Sequence, residues 1–472
     1  MLLAVLQSVC FADVYRRDSQ EVIPGTEGIT PGPGVVLSNK ELAFAELSRI
    51  DLTDSSFASS DLTNSNFFLS TLTGANLSGA NLTDSRLPDT ILTDADLSHA
   101  NLSNARLSSS TLTNANLSGA IITGADFRIT PSRGFTYSQL ASTVSFQTNN
   151  LQGIGLSFSD VSGWDLRGQD LTDAVFFAAT LTGVDFTGAE VVGASFGDTT
   201  GQGFTQSQLT STASYQARDL RRIGLSGNAL YGWDFAEQNL AGSILKSANL
   251  TNADFSQANL SNADLSFSTL TDADLNGANL ANANLESSNL ASSVIGSDTT
   301  YNQWTVFPDG FSPDTLTFVP SLVGDLDANG ALDSADIDVL LSRIRETGFA
   351  TPWLSDEVFD LNNDEVVDIG DVQAWVVDAR QTFLGDADLN GSVEFADFLV
   401  LSDNFGRPGS WDTGDFDVNG TVEFADFLAL ANNFGEVSGG LAVVPEPTSS
   451  ALSVLALCFL LSVRQTRALL TE

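Results

Sequence analysis

From Leu37 onward the chain places a large apolar residue at every fifth position. The series runs through Leu42, Leu47, Leu52, Phe57, Leu62, Phe67 and Leu72 and continues to Leu117, Ile122 and Phe127. Two positions before each stands a residue that is usually small, such as Ala75, Ala80, Ala95 or a Ser in the same register. Asn, Asp, Thr, Ser and Gly fill the rest. The series resumes from Leu151 to Phe196 and again from Leu220 to Ile295. A period of five fits neither a helix at about 3.6 residues per turn nor a strand at about 2. It fits a chain that turns a corner every five residues, with one apolar side chain pointing inward from each side. Four sides close a coil, and coils stack through main-chain hydrogen bonds. Roughly 44 such segments give roughly eleven coils, a rod about 50 Å long at about 4.8 Å per layer. Its core is a continuous Leu/Phe ladder, and its ends need caps.

Two interruptions repeat each other. Gly134–Gln147 reads GFTYSQLASTVSFQ and Gly203–Gln216 reads GFTQSQLTSTASYQ, 69 residues later, each leading to IGLS and then to Trp164 or Trp233. Thr136 with Gln139, and Thr205 with Gln208, have the spacing of a helix capping box. Each interruption is therefore expected to be a short side helix ejected from one edge of the rod. It acts either as lateral bracing or as a docking knob. Residues 13–36, with PGTEGITPGPG at Pro24–Gly34, read as an extended lead-in. Residues 297–322, with Tyr301, Trp304, Phe307, Phe311 and Phe318, read as a cap or linker at the far end.

Charge changes the picture. The formal net charge is −40. Nucleic acid and anionic lipid are polyanions and are disfavoured as partners, whereas cations are favoured. Residues 323–436 hold 25 acidic residues against 4 Arg and no Lys, a net of −21. The spacing of these acids is that of metal loops. Asp325, Asp327, Asn329, Asp333 and Asp336 occupy positions 1, 3, 5, 9 and 12 of a calcium loop, with the Ala331 carbonyl at 7 and Gly330 at 6. Asp386, Asp388, Asn390, Ser392, Glu394 and Asp397 repeat the pattern, as do Asp415, Asp417, Asn419, Thr421, Glu423 and Asp426. A fourth copy uses Asp360, Asn362, Asp364, Val366, Asp368 and Asp371, with Glu365 where Gly is wanted, so it is expected to be the weakest. Up to four Ca2+ ions are expected. A single apolar helix follows each loop, such as Ala335–Ile344 or Ala396–Phe405.

Little in the chain suggests catalysis. The two cysteines, Cys10 and Cys458, lie in terminal apolar segments, and His99 is the only histidine, in an ordinary repeat. Nucleophile elbow, phosphate loop and His-based metal site are all missing from the sequence, and the many Asp residues recur in repeat register at rod corners. The chain is expected not to be an enzyme.

Three resemblances follow from these motifs. ANLSGANLTD at Ala75–Asp84 and ANLTNADFSQANLSNADL at Ala248–Leu265 resemble the pentapeptide-repeat family. That resemblance implies a mainly β fold, a right-handed quadrilateral β-helix over residues 37–296, here with two helical insertions and followed by small α-helical calcium-loop modules. The duplicated loop–helix units, with Asp at position 12, resemble dockerin domains, and imply modules at 323–383 and 384–436. The resemblance implies docking onto a cohesin-like partner. The loop spacings of 35, 26 and 29 residues are irregular, and three of the position 10–11 pairs, including Phe395–Ala396 and Phe424–Ala425, lack a hydroxyl. Val444-Pro445-Glu446-Pro447, a short apolar run over 451–463 and Arg464 and Arg467 resemble a PEP-CTERM sorting signal within 437–472. It implies processing by an exosortase-type enzyme after transient membrane contact through 451–463. Residues 1–12 resemble the apolar core of a signal peptide.

The expected function is that of an exported, calcium-binding, non-catalytic scaffold or interaction protein of the cell surface or extracellular matrix. One alternative is a dockerin-bearing component of a polysaccharide-binding or polysaccharide-degrading assembly. Another is an acidic DNA-mimic inhibitor, against which export argues.

Overall fold

The computed structural model describes residues 13–319, 324–327, 331–344, 359–362, 364, 366–407 and 409–436. The terminal segments 1–12 and 437–472, with the signal-like motifs expected there, lie outside the described residues, as do Asn329, Gly330 and Glu365. The chain divides into two units. The first runs to Ala278 and adds Leu285–Thr299 and Phe307–Thr315. The second comprises Asn279–Asn284, Thr300–Val306 and the chain from Leu316.

The first unit is a four-sided β-helix. Val36 bridges Ser56, Glu41 bridges Asp61, Glu46 bridges Asn66 and Asp51 bridges Thr71, all parallel and all one coil of twenty residues apart. Within a side, Asp51 makes the bridge and Leu52 points inward, fully buried. The Ser55 amide then closes a turn onto the Leu52 carbonyl at 3.1 Å. The third residue of that turn, Asp54, has φ of 55°. A turn that demands positive φ at its third residue favours Asn, Asp or Gly. This explains much of the polar content of the repeat without any ligand. The bridge residues add a second demand. The Asp51 carboxylate accepts from the Thr53 amide and hydroxyl, at 3.0 and 2.6 Å, which holds it below the usual carboxylate range. Inside, same-face rings stack one coil apart, as in Phe176 on Phe196 with centroids 5.3 Å apart.

One face carries an unbroken ladder. Its rungs run from Glu46 through Asn66, Arg86, Arg106, Asp126 and Gly155 to Val175, Ser195, Gly224, Ile244 and Asp264. Two steps, Asp126 to Gly155 and Ser195 to Gly224, span 29 residues instead of twenty. Each interruption is thus one enlarged coil, not an excursion from the stack. It contains two short helices, α1 (Tyr137–Ala141) and α2 (Val144–Gln147), or α3 (Gln206–Thr210) and α4 (Ala213–Gln216). Thr136 with Gln139, and Thr205 with Gln208, form the expected capping boxes. The helices are built into the wall rather than ejected from it. Leu140 and Leu209 are buried, and the Ser145 hydroxyl accepts the Ile122 amide of the coil below at 2.9 Å. Gln139 Nε2 donates to the Leu112 and Ala115 carbonyls, both at 2.8 Å, so its side chain replaces lost ladder bonds. Phe127 stacks on Phe135 at 4.4 Å, and Phe196 on Phe204 at 4.6 Å, which carries the core through both enlarged coils.

The expected extended lead-in is instead a small antiparallel hairpin. Tyr15 bridges Val22, Arg16 bridges Ala45, and Val14, Ile23 and Thr26 are buried. An open coil end exposes unpaired main chain and apolar edge, and a hairpin with Val14 and Ile23 inward satisfies both.

In the second unit two further bridges, Asn279 to Thr300 and Asn284 to Val306, precede a two-stranded parallel sheet of β1 (Thr300–Tyr301) and β2 (Thr317–Phe318). Four loop–helix segments follow: α5 (Ser334–Ile344), α6 (Ile369–Ala374, continued by a π turn at Trp375–Ala379), α7 (Phe395–Asn404) and α8 (Phe424–Asn433). They share one core. Ile337, Leu340, Val372, Trp375, Leu401 and Leu430 belong to a single buried cluster, so the boundary at 383/384 does not separate two cores.

Candidate metal centres

The loops are built around the carboxylate at position 12. Asp336, Asp371, Asp397 and Asp426 are all buried. Asp426 Oδ1 accepts the amides of Phe416 and Asp417, at 2.6 and 2.9 Å, and its Oδ2 accepts that of Glu423 at 2.7 Å. Asp336 and Asp371 make the same three bonds in their own loops. Asp397 accepts the Ala387 and Glu394 amides, both at 2.8 Å. Each carboxylate therefore caps the helix it starts and holds both ends of its loop together.

Position 1 is tied down as well. Asp386 and Asp415 each accept a glycine amide, from Gly391 and Gly420, at 2.8 Å. Those glycines have φ of 91° and 92°, and a side chain there would be strained. Leu389 and Val418, at position 4, are also left-handed, at 54° and 50°. The loop backbone thus winds around a point, and oxygens converge there. One carboxylate oxygen from each of Asp325, Asp327 and Asp336 lies within 4.8 Å of the others. The same holds for Asp386, Asp388 and Asp397, and for Asp415, Asp417 and Asp426.

These groups are electrostatically costly. Burial pushes Asp336 up to about 7 and Asp415 up to about 6. It also raises Asp386, Asp397 and Asp426. Asp415 Oδ1 is buried and accepts no hydrogen bond. An oxygen-rich cradle of buried carboxylates matches a hard divalent cation. Asp333, Asn390, Glu394, Asn419 and Glu423 line the same loops, with the Ala331, Ser392 and Thr421 main chains at position 7. Asn390 and Asn419 accept the Ser392 and Thr421 amides, both at 2.9 Å.

The second loop is different. Asp360, Asn362, Asp364, Val366 and Asp368 adopt the loop hydrogen bonds, with the Val366 amide on Asp364 at 2.9 Å. The Asn362 side-chain nitrogen donates to Asp364 at 3.1 Å, an internal bond to the position 5 carboxylate, where the other loops carry Asn.

Sequence reading missed the two tryptophans that anchor the loops. Trp375 Nε1 donates to the Gly324 carbonyl at 2.6 Å, and Trp411 Nε1 to the Asp386 carbonyl at 2.9 Å. Trp375 lies four residues after its neighbouring loop and Trp411 four before, so no common register signals them. Phe395 and Phe424, each 56% exposed, are matched by Leu399 and Leu428, each 46%, one helical turn on.

Pentapeptide repeats match by a family model in eight copies, over 45–87, 90–128, 150–188, 162–198, 230–266 and 263–294. The chain belongs to the pentapeptide-repeat proteins. Members of this family fold as right-handed β-helices. No curated protein matches the chain. Among solved structures, a pentapeptide repeat protein from Nostoc Pcc 7120 is 35% identical, covering 22% of this chain and 89% of its own, with a TM-score of 0.16. One from the Arabidopsis thaliana thylakoid lumen is 32% identical over 20% of this chain and 70% of its own, with a TM-score of 0.14. QnrB1, a plasmid-mediated fluoroquinolone resistance protein, is 17% identical over 47% of this chain and 84% of its own, with a TM-score of 0.20. Among the described residues of this pentapeptide-repeat protein, no helix is long and apolar enough to cross a membrane.

Proposed function

We propose that this pentapeptide-repeat protein is an exported, non-catalytic scaffold whose acidic loop–helix unit folds around Ca2+. The observation that carries the reading is the threefold recurrence of buried position 1 and 12 carboxylates with a more exposed position 3 carboxylate, whose oxygens lie within 4.8 Å of one another. Buried carboxylates without a cation repel and resist ionisation. Calcium neutralises them and takes oxygen ligands of this kind, and free calcium on the order of 1 mM outside cells fills even weak extracellular sites. Three ions sit at the loops beginning at Asp325, Asp386 and Asp415. A weaker fourth sits at Asp360.

The rod supplies a rigid spacer and long side faces, and the calcium unit carries the interaction. The VPEP motif, the apolar run 451–463 and the two arginines support export with exosortase-type processing, and a location at the surface or in the extracellular matrix. A second reading, docking onto a cohesin-like partner within a polysaccharide-binding assembly, is favoured by one observation. The exposed Phe395–Leu399 and Phe424–Leu428 pairs occupy equivalent places on two helices.

The test is limited proteolysis and circular dichroism of the full chain with calcium and with EDTA. Calcium should protect residues 324–436 from cleavage and raise their melting temperature, with the rod unchanged. Identical behaviour in both conditions would remove the reading. A pull-down with calcium-loaded protein separates a cohesin-like receptor from a polysaccharide.

A further inference from the structure

Within the described rod, apolar residues other than glycine occupy the left-handed conformation along one edge and, apart from Phe44, at no other corner. The edge follows the unbroken ladder, two and three positions after each rung. Its left-handed residues include Leu69, Ile129, Phe158, Ala178 and Phe267, with φ between 53° and 67°. At the other three corners of the described rod this position holds glycine or a polar residue, apart from Phe44. The Phe44 ring is covered by the Arg16 guanidinium at 4.7 Å. A β-branched or aromatic residue at positive φ is an outlier, costing roughly 1–2 kcal/mol where Asn or Gly would cost little. Such strain points to a use. Leu69, Phe158 and Phe267 are also 47%, 53% and 54% exposed.

Beyond the Glu46 rung, the charged and aromatic residues along this edge recur in matching order from both ends. Ten consecutive rungs, Asn66 to Asp264, pair first with last. Phe68 and Leu69 correspond to Phe267. Asp89 corresponds to Lys246. Ser109 corresponds to Gly227, and Arg128 to Asp198. The centre falls between Phe158 and Phe177, whose rings meet edge to face at 5.5 Å. The end and central pairs are apolar and the two charged pairs are of opposite sign, while Ile129 falls opposite Gly197 and Asp198, and Pro88 opposite Lys246 and Ser247. A two-fold axis requires this property, because residue i then meets j while j meets i.

We propose that two copies of this chain associate side by side and antiparallel along this edge, with the two-fold axis between Phe158 and Phe177. Four phenyl rings meet at the axis, flanked by Arg128 against Asp198 and then by Asp89 against Lys246. Phe267 and Leu69 close each end. A parallel pair would set Asp89 on Asp89 and Lys246 on Lys246. Molecules of net charge −40 repel overall, so attraction needs a surface on which opposite charges meet. Two residues from each of ten rungs, less the buried Ser157, Gly197 and Ser266, give about 17 residues per copy, just under the range of about 20–30 for an ordinary specific interface. All of these residues lie in the first unit, so the inference stands apart from metal binding.

Sedimentation equilibrium of the full chain at fixed ionic strength tests the proposal, with and without EDTA. A dimer is expected in both. Phe158→Asn should abolish it while raising the melting temperature of the rod, since Asn tolerates positive φ. Asp89→Lys and Lys246→Asp should each weaken dimerisation by about tenfold or more, and the double variant should restore it, since the reversed pair faces itself across the axis. Circular dichroism confirms that each variant folds. A wild-type chain that stays monomeric at about 100 μM overturns the proposal. So does a dimer indifferent to Phe158→Asn, or a double variant no better than the singles.

Discussion

The indole of Trp411 donates to the main-chain carbonyl of Asp386 at 2.9 Å, linking the approach to one loop with the first ligand position of another. The Asp386 side chain meanwhile accepts the Thr382 hydroxyl and the Gly391 amide. The geometry of the 386–397 loop is thus set partly by residues outside it. Trp411→Phe keeps the ring and removes the donor. The expected cost is about 1 kcal/mol in urea denaturation, with calcium affinity lowered several-fold at the Asp386 site among the three stronger ones. Calorimetric titration checks it; three unaltered sites would contradict the coupling.

Asp426 holds three amides as well as facing the centre. Asp426→Ala leaves those donors buried without an acceptor. A loss on the order of 3 kcal/mol is expected, because each buried orphan costs about 1–3 kcal/mol and the loop relaxes in part. The loss should persist in EDTA. A carboxylate that served the ion alone would show no loss once calcium is removed, so thermal melts in EDTA separate the two roles.

The pH response of the calcium-free chain has a definite sign. Asp415 and Asp336 titrate near 6 and 7 when folded, because burial disfavours their charged forms. Unfolded carboxylates titrate near about 3.9. Between these values the folded state holds more protons than the unfolded state, so stability falls as pH rises from about 4 to about 7. Urea midpoints in EDTA at about pH 5 and 7.5, followed by tryptophan emission, should show the second unit weaker at the higher pH. Asp415→Asn should flatten the trend. Calcium affinity should rise over the same interval, because binding expels the protons.

Gln208 tests the enlarged coils. Its side chain closes a capping box with Thr205 and donates to the Leu181 and Val184 carbonyls, both at 2.9 Å. Gln208→Ala should destabilise the rod by about 1–3 kcal/mol. Gln208→Glu keeps the acceptor for the Thr205 amide but loses the donor to the carbonyls. If it matched wild type in thermal melts, the cap alone would explain the residue.

Much of this was legible in the sequence because the signals are local and periodic. A fully buried Leu52 and a left-handed Asp54 each recur every five residues, so twenty residues suffice to state the rule. The spacing within 386–397 and 415–426 is local in the same way, since Gly391 and Gly420 take the left-handed conformation and the position 1, 3 and 12 carboxylates come together there. Contacts between distant segments did not read. Trp375 reaches back 51 residues to Gly324, and nothing near either residue announces the bond. The hairpin from Val14 to Ile23 was hidden by the Gly- and Pro-rich stretch that follows it at Pro24–Gly34 and resembles a linker, although Val14 and Ile23 are buried. The side helices were placed correctly in sequence but on the wrong side of the wall. Capping boxes report that a helix starts, not what lies beneath it.

The ladder from Glu46 to Asp264 crosses both enlarged coils without missing a rung. Nine added residues therefore widen the girth of a coil and leave its height unchanged. Along that face the molecule behaves as a ruler whose graduations are single coils. Its length can change only by whole coils, while decoration can accumulate on the remaining sides without disturbing the distance between its two ends.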